Sequence, residues 1–164
     1  TPGIDMTTGS LGQGFSCAVG VALGSRAKGD GATIYTIIGD GESQEGQIWE
    51  AAMFAAQQKL SNLIAFTDYN RAQLDGYVSD ICSLGNLKAK WESFGWQTYE
   101  IDGHDYDLIL RTVQEAKMAG GPVMILLDTV KGKGFSMAEA LGYENHGMTI
   151  GDKELEQARK ELAE

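Results

Sequence analysis

Asp40 and Asn70 are the residues whose types and spacing most suggest chemistry. Asp40 stands in Gly39-Asp40-Gly41 at the end of one apolar run, and Asn70 closes the next, "NLIAFTDYN", thirty residues later. A carboxylate and an amide oxygen are hard donors, suited to magnesium or calcium rather than zinc. Two side chains do not complete an octahedral shell, and magnesium commonly draws its remaining oxygens from main chain, water and a phosphate. A phosphate-bearing ligand is therefore implied. Gly41 sits where a main-chain N–H could approach such a group, and the helix that follows would turn its positive end toward the same place. By itself Gly-Asp-Gly is an ordinary turn and asparagine an ordinary polar cap. The spacing, and the placement of both residues after buried runs, point instead to a metal-diphosphate site.

Positioning them requires two adjacent strands. "ATIYTIIG" (32–39) and "NLIAFTDY" (62–69) are short, β-branched and almost continuously apolar, as strands covered on both faces are. Between them, residues 44–60 carry Ile48, Ala51, Ala52 and Ala55 on one stripe, which predicts a helix. A single right-handed strand-helix-strand unit makes the two strands parallel neighbours about 4.8 Å apart, with both loop tips on the side where α/β proteins bind ligands. Further along, helices are expected over 86–95 and 106–120, strands over 96–102 and 122–130, a long glycine-rich loop over 131–147, and a charged amphipathic helix over 152–164. Before the first strand, residues 10–29 read as a helix with Ser10 as its cap and Gly29 as its stop. The alternation predicts an α/β fold, a mostly parallel sheet with helices on both faces.

With 164 residues, the chain has the size of one domain. Its net charge of -10 argues against nucleic acid or an anionic membrane as partner and favours a bound cation. Twenty-two glycines against two prolines sit mostly at segment ends, where backbone turns or approaches a ligand. Cys17 and Cys82 are far apart, without metal-ligand spacing, which suggests a reducing, cytoplasmic setting. No apolar run reaches membrane-spanning length. The opening "TPGIDMTTG" reads as loop, so the expectation is one diphosphate-binding domain over 1–164 that lacks an upstream portion.

"TTGSLGQG" (7–14), "GDGESQEGQIWEAAMFAA" (39–56), the terminal Asn70, "DGHD" (102–105) and "NHG" (145–147) occur in an order that resembles the thiamine diphosphate enzymes, and transketolase in particular. The resemblance runs from the first residue to about Gly147 and implies the three-layer α/β/α thiamine diphosphate-binding fold. It also implies that Asp40 and Asn70 bind magnesium through their side chains and Ala72 through its carbonyl, with calcium as the alternative ion. Gly41 and Asn70 would hold the diphosphate. Gly9, Ser10 and Leu11 would pack on the cofactor rings, although transketolases often carry proline where this chain has Ser10. His146 would reach the diphosphate and the donor substrate, fitting an imidazole that donates a hydrogen bond or moves a proton near neutral pH. Glu45 matches an acid in a network reaching a partner's active site, and equally suits an exposed first-turn glutamate favoured by the helix dipole.

The reaction so implied is transfer of a two-carbon ketol unit between sugar phosphates, in which the cofactor carries the carbon chemistry. The glutamate that activates the cofactor in that family belongs to a pyrimidine-binding domain on another chain, and no candidate for it occurs here. A pyrimidine-binding domain or subunit is thus the expected partner, in a dimer or heterotetramer. The expected interface is the 44–60 helix with the 71–84 loop. Alternatives are another thiamine enzyme, such as deoxyxylulose phosphate synthase or the α-type subunit of a 2-oxo acid dehydrogenase, and a non-catalytic cofactor- or partner-binding module. A dinucleotide-binding domain is disfavoured by the glycine placement in "GSLGQG". His104, Lys131 and Lys133 read as turn or solvated residues outside the site, and Trp49, Trp91 and Trp96 as packing or subunit contacts.

Overall fold

The computed structural model describes residues 2–163. Helix α1 (Gln13–Lys28) leads into β1 (Ile34–Gly39), a 3₁₀ turn (Gly41–Gln44), α2 (Gly46–Gln57) and β2 (Leu63–Tyr69). A small hairpin, β3 (Ala72–Gln73) and β4 (Gly76–Tyr77), precedes α3 (Val78–Cys82) and α4 (Leu87–Ser93). Then come β5 (Gln97–Asp102), α5 (Tyr106–Ala116) and β6 (Val123–Asp128). An arm follows, made of α6 (Ser136–Leu141), a 3₁₀ turn (Gly142–Gly147) and α7 (Asp152–Glu161).

The four main strands form one parallel sheet in the order β1-β2-β6-β5. Alternating side chains divide two cores, as the two-residue period of a strand requires. Ile38, Leu63, Ala65, Met124 and Leu126 face α1, α2 and α4, where Phe15, Ala22, Ile48, Ala52 and Trp91 are fully buried. Ile64, Val123 and Ile125 face Ala116 of α5 on the other side. The three-layer architecture expected from the alternation is thus present. The α5 layer is the thinner one: on β1, Tyr35 and Ile37 remain 47% and 73% exposed. Trp91 and Trp96 are core residues, and Trp49 packs against Trp91 with ring centroids 4.8 Å apart.

Several boundaries differ from the sequence expectation. Ser10 does not cap α1; Gly12 occupies that position in a left-handed conformation (φ 80°). Gly29 does end the helix, also left-handed at φ 69°. The helix expected over 44–60 is shorter, because extended Glu45 (ψ 129°) separates the 3₁₀ turn from α2. At the other end Lys59 is left-handed (φ 49°), its N–H donating to Ala56 and that of Leu60 to Ala55, a Schellman closure that buries Leu60. Residues 131–147, expected as a long loop, contain α6 and a 3₁₀ turn. They acquire structure by packing on the tail, where Phe135 and Ala138 meet Ala158 and Glu161 accepts hydrogen bonds from the N–H and Oγ of Ser136, each at 2.7 Å. The tail helix ends at Glu161; Thr1 and Glu164 lie outside the described residues. No helix among the described residues is long and apolar enough to cross a membrane.

Candidate functional site

The β1–β2 pairing decides the geometry. In-register contact of Gly39 with Asp68 brings the two strand ends together, and Asp40 N–H donates to the Asp68 carbonyl at 3.3 Å. Asp40 is only 1% exposed. Its Oδ1 accepts the Gly41 N–H at 2.7 Å, and its Oδ2 accepts the Arg71 N–H from the turn after β2. Asp40 is thereby joined to the residue that follows Asn70, as the neighbouring-strand argument requires.

Ala72 is oriented by the hairpin. Val78 N–H donates to the Arg71 carbonyl at 3.0 Å, so Ala72 and Tyr77 form the non-hydrogen-bonded pair of the ladder. The main-chain groups of Ala72 turn away from the hairpin; its N–H donates to Asn70 Oδ1 at 2.9 Å, and its carbonyl faces the same edge. Asn70 Oδ1 keeps a second lone pair for a cation. Its Nδ2 donates to Asp68 Oδ2 at 2.9 Å, and Asp68 Oδ1 accepts from the Thr129 hydroxyl. Between Asn70 and Ala72, Arg71 adopts φ 65°, a left-handed conformation costing a non-glycine residue about 1 kcal/mol. Its guanidinium pairs with Asp128 and lies 4.4 Å over the Tyr69 ring, which holds the turn in place.

Burial pushes the Asp40 carboxyl above its ordinary range, opposed by the N–H donors of Gly41 and Arg71; the nearby Asp68 carboxylate adds to the rise, and the Arg71 charge counters it. A desolvated carboxylate with a second one close by is an arrangement that a divalent cation would relieve. Among the described residues no group of three or more His, Cys, Asp or Glu is placed to hold a metal. Asp40 with Asn70 and Ala72 offers one carboxylate and two neutral oxygens, a set that fits a hard ion bringing phosphate oxygens with it.

Gly41 has a second reason to be glycine. A Cβ there would stand 2.9 Å from Gln73 Cβ, so the hairpin closes over it. A Cβ at Gly9, in contrast, would meet nothing within 4 Å, and residues 9–11 are all exposed, Leu11 by 53%. This turn thus presents an open surface beside the Asp40 cradle. Glu45 is exposed at the N-terminus of α2 and makes no capping hydrogen bond with its side chain.

His146 lies in the arm's 3₁₀ turn, exposed. That turn docks on the hairpin, where Tyr143 meets Tyr77 edge-on at 5.2 Å between centroids. The imidazole has no hydrogen-bond partner among the described residues, and the neighbouring Asn145, rather than His146, lines a cavity of about 440 Å³ with Asn70, Asp68, Thr129, His104 and Lys131. His104, set aside on sequence grounds, accepts the Val130 N–H at 2.9 Å on this wall. Lys133 lies on an adjoining groove with Asp102 and Asp128. Sequence reasoning also missed Asp68, Arg71 and Glu42, whose contacts depend on which strand ends meet.

A profile described as "Transketolase, thiamine diphosphate binding domain" matches residues 1–163. The chain belongs to this family. Transketolase-type relatives include the 6-deoxy-6-sulfo-D-fructose transketolase subunit SqwG of Clostridium sp. (strain MSTE9), 56% identical across 99% of this chain and 59% of its own length. An apulose-4-phosphate transketolase subunit from Actinobacillus succinogenes is 41% identical across 99% of this chain and 58% of its own. The chain therefore spans somewhat under two thirds of these curated relatives. Among solved structures, transketolase from Campylobacter jejuni superimposes with a TM-score of 0.89 at 30% identity, over 98% of this chain and 26% of that one. The transketolase fold expected from the motifs is the fold observed.

Proposed function

We propose that this chain is the diphosphate-binding part of a transketolase, working in two-carbon ketol transfer between anionic sugars together with a pyrimidine-binding domain or subunit. The observation that carries the reading is the meeting of buried Asp40 with the Asn70–Ala72 turn across paired strands. In this reading Asp40, Asn70 and the Ala72 carbonyl hold Mg²⁺, and Gly41 with Asn70 holds the diphosphate. Gly9, Ser10 and Leu11 support the cofactor rings on the exposed turn beside them. When bound, thiamine diphosphate supplies the nucleophilic carbon and electron sink needed to break and remake a carbon-carbon bond next to a ketone. His146 donates a hydrogen bond toward the diphosphate and donor from the arm, and Glu45, exposed at the start of α2, reaches toward the partner.

Two relatives guide the substrate class. One is named for a sulfonated ketose and another for a phosphorylated one, and both substrates pair a ketose with an anionic tail. A sulfosugar donor is the second reading, favoured by the 56% identity of the first. Ketol-transfer assays with the assembled protein, comparing 6-deoxy-6-sulfofructose with fructose 6-phosphate, separate the two.

The test of the site is calorimetric titration with thiamine diphosphate and Mg²⁺. Asp40→Ala and Asn70→Ala are each expected to lose metal and cofactor affinity together. Well-folded variants that bind both as the unsubstituted protein does remove the assignment.

A further inference from the structure

Residues 2–11 are exposed throughout, yet the turn they form ends on a buried residue, Gly12. Both sides of that glycine are gripped by side chains from the stretch that follows Asp40, one in the 3₁₀ turn and one in α2. Glu42 Oε1 accepts the Gly12 N–H at 2.8 Å, and Gln47 Nε2 donates to the Gly12 carbonyl at 3.0 Å. The other oxygen of the same carboxylate, Glu42 Oε2, accepts the N–H of Gly39 at 3.1 Å. One side chain therefore ties the start of α1 to the residue immediately before Asp40.

We infer that Glu42 is a positioning residue: it sets the distance between the turn that meets the cofactor rings and the cradle that holds the metal and diphosphate. This rests on the cofactor reading above. The two ends of the cofactor would be held by segments nearly thirty residues apart in sequence, and an exposed turn on its own has no means of keeping register with β1. A carboxylate suits the task because it offers acceptors to two donors at once. Glutamine presents one acceptor oxygen and sets its NH₂ against the second N–H, and aspartate is a methylene short. The arrangement also explains why Ser10 is not needed as a cap. The negative carboxylate already sits at the N-terminus of α1, so that helix end is closed to the diphosphate.

The experiment compares Glu42→Gln and Glu42→Asp with the unsubstituted full-length protein, titrating each with thiamine diphosphate plus Mg²⁺ and, separately, with inorganic pyrophosphate plus Mg²⁺. Pyrophosphate lacks the rings and reports on the cradle alone. Both variants are expected to bind thiamine diphosphate about tenfold more weakly, the scale of one charge-assisted hydrogen bond, and pyrophosphate within about twofold of the original. Leu11→Ala is expected to cost less affinity when added to Glu42→Gln than when made alone, because the turn is already out of register. Amide exchange at Gly12 should quicken while β2 stays protected. Unchanged thiamine diphosphate affinity overturns the inference. So does equal weakening toward both ligands, or loss of β2 protection, since either makes Glu42 a general brace of the fold. An unsubstituted protein that binds neither ligand brings down the cofactor reading itself, and this inference with it.

Discussion

The Asp40 cradle and the arm carrying His146 are built in opposite ways. Asp40 lies at the end of a strand paired in parallel through six residues, is 1% exposed, and has its carboxylate oxygens engaged by main-chain donors from two loops. His146 is exposed, and its arm is held by a three-residue core, a tyrosine pair and hydrogen bonds to α7. In the proposed reading, a sheet edge closed by backbone donors would hold the ion, and a peripheral arm with its own small core would bring the imidazole.

Asp40→Ala should strike the cradle hardest, weakening Mg²⁺-dependent cofactor binding by about 100-fold or more, at or beyond the upper end of what loss of an outer-shell metal partner costs. The same residue makes the cradle sensitive to pH. Its carboxyl is raised from the ordinary 3.8 in the folded chain, so its contribution to metal-free stability is fully present below that value and is lost as pH rises through the raised one. Chemical denaturation of the metal-free protein from about pH 4 to pH 7 should therefore show the advantage of wild type over Asp40→Ala shrinking with rising pH, and added Mg²⁺ with thiamine diphosphate restoring it. A difference independent of pH contradicts this account of the buried carboxylate.

Next in size is a pair of glycine substitutions within the candidate cofactor surface. Gly41→Ala pushes a Cβ to 2.9 Å from Gln73 Cβ and should cost about 1–3 kcal/mol by overpacking. Gly9→Ala meets open space and should leave stability within about 0.5 kcal/mol, while weakening thiamine diphosphate binding if the proposed ring contact is made there. Denaturation midpoints beside titrations distinguish the two.

The arm answers to Gly142, at a positive φ of 57° that side chains rarely adopt, with a would-be Cβ 2.8 Å from the Tyr77 hydroxyl. Gly142→Ala should loosen the arm, seen as faster proteolysis within 131–150, and leave Mg²⁺-pyrophosphate binding intact. Smallest in stability is His146→Ala, expected to leave the unfolding midpoint within about 0.5 kcal/mol, as an exposed side chain should, while ketol transfer by the assembled enzyme falls. A large stability loss would show the arm to be part of the core after all.

Much of this was legible along the chain. Strands 32–39 and 62–69 announced themselves as near-continuous β-branched apolar runs; β2 is covered on both faces as such a run implies, whereas β1 leaves Tyr35 and Ile37 exposed on one. That the loops carrying Asp40 and Asn70 leave neighbouring parallel strands followed from the strand-helix-strand connection. The errors share a cause. Ser10 looked like a cap because capping is usually local, whereas α1 begins on a carboxylate thirty positions away, that of Glu42. Residues 131–147 looked like loop because their apolar residues are few and meet partners distant in sequence, Ala158 in α7 and Tyr77 in the hairpin. His104 does sit in a turn, as read, and the chain leaving β6 passes close enough for the Val130 N–H to donate to its imidazole.

Sequence alone determined the alternation of strand and helix, the two loop tips and the family, because burial period, turn chemistry and motif order are all properties of neighbours along the chain. Tertiary structure decided which main-chain donors close on Asp40, why Gly41 admits no side chain, and what holds the exposed 9–11 turn to the Asp40 cradle. Those depend on which strand ends meet in register, and register is a matter of packing between segments that share no local signal.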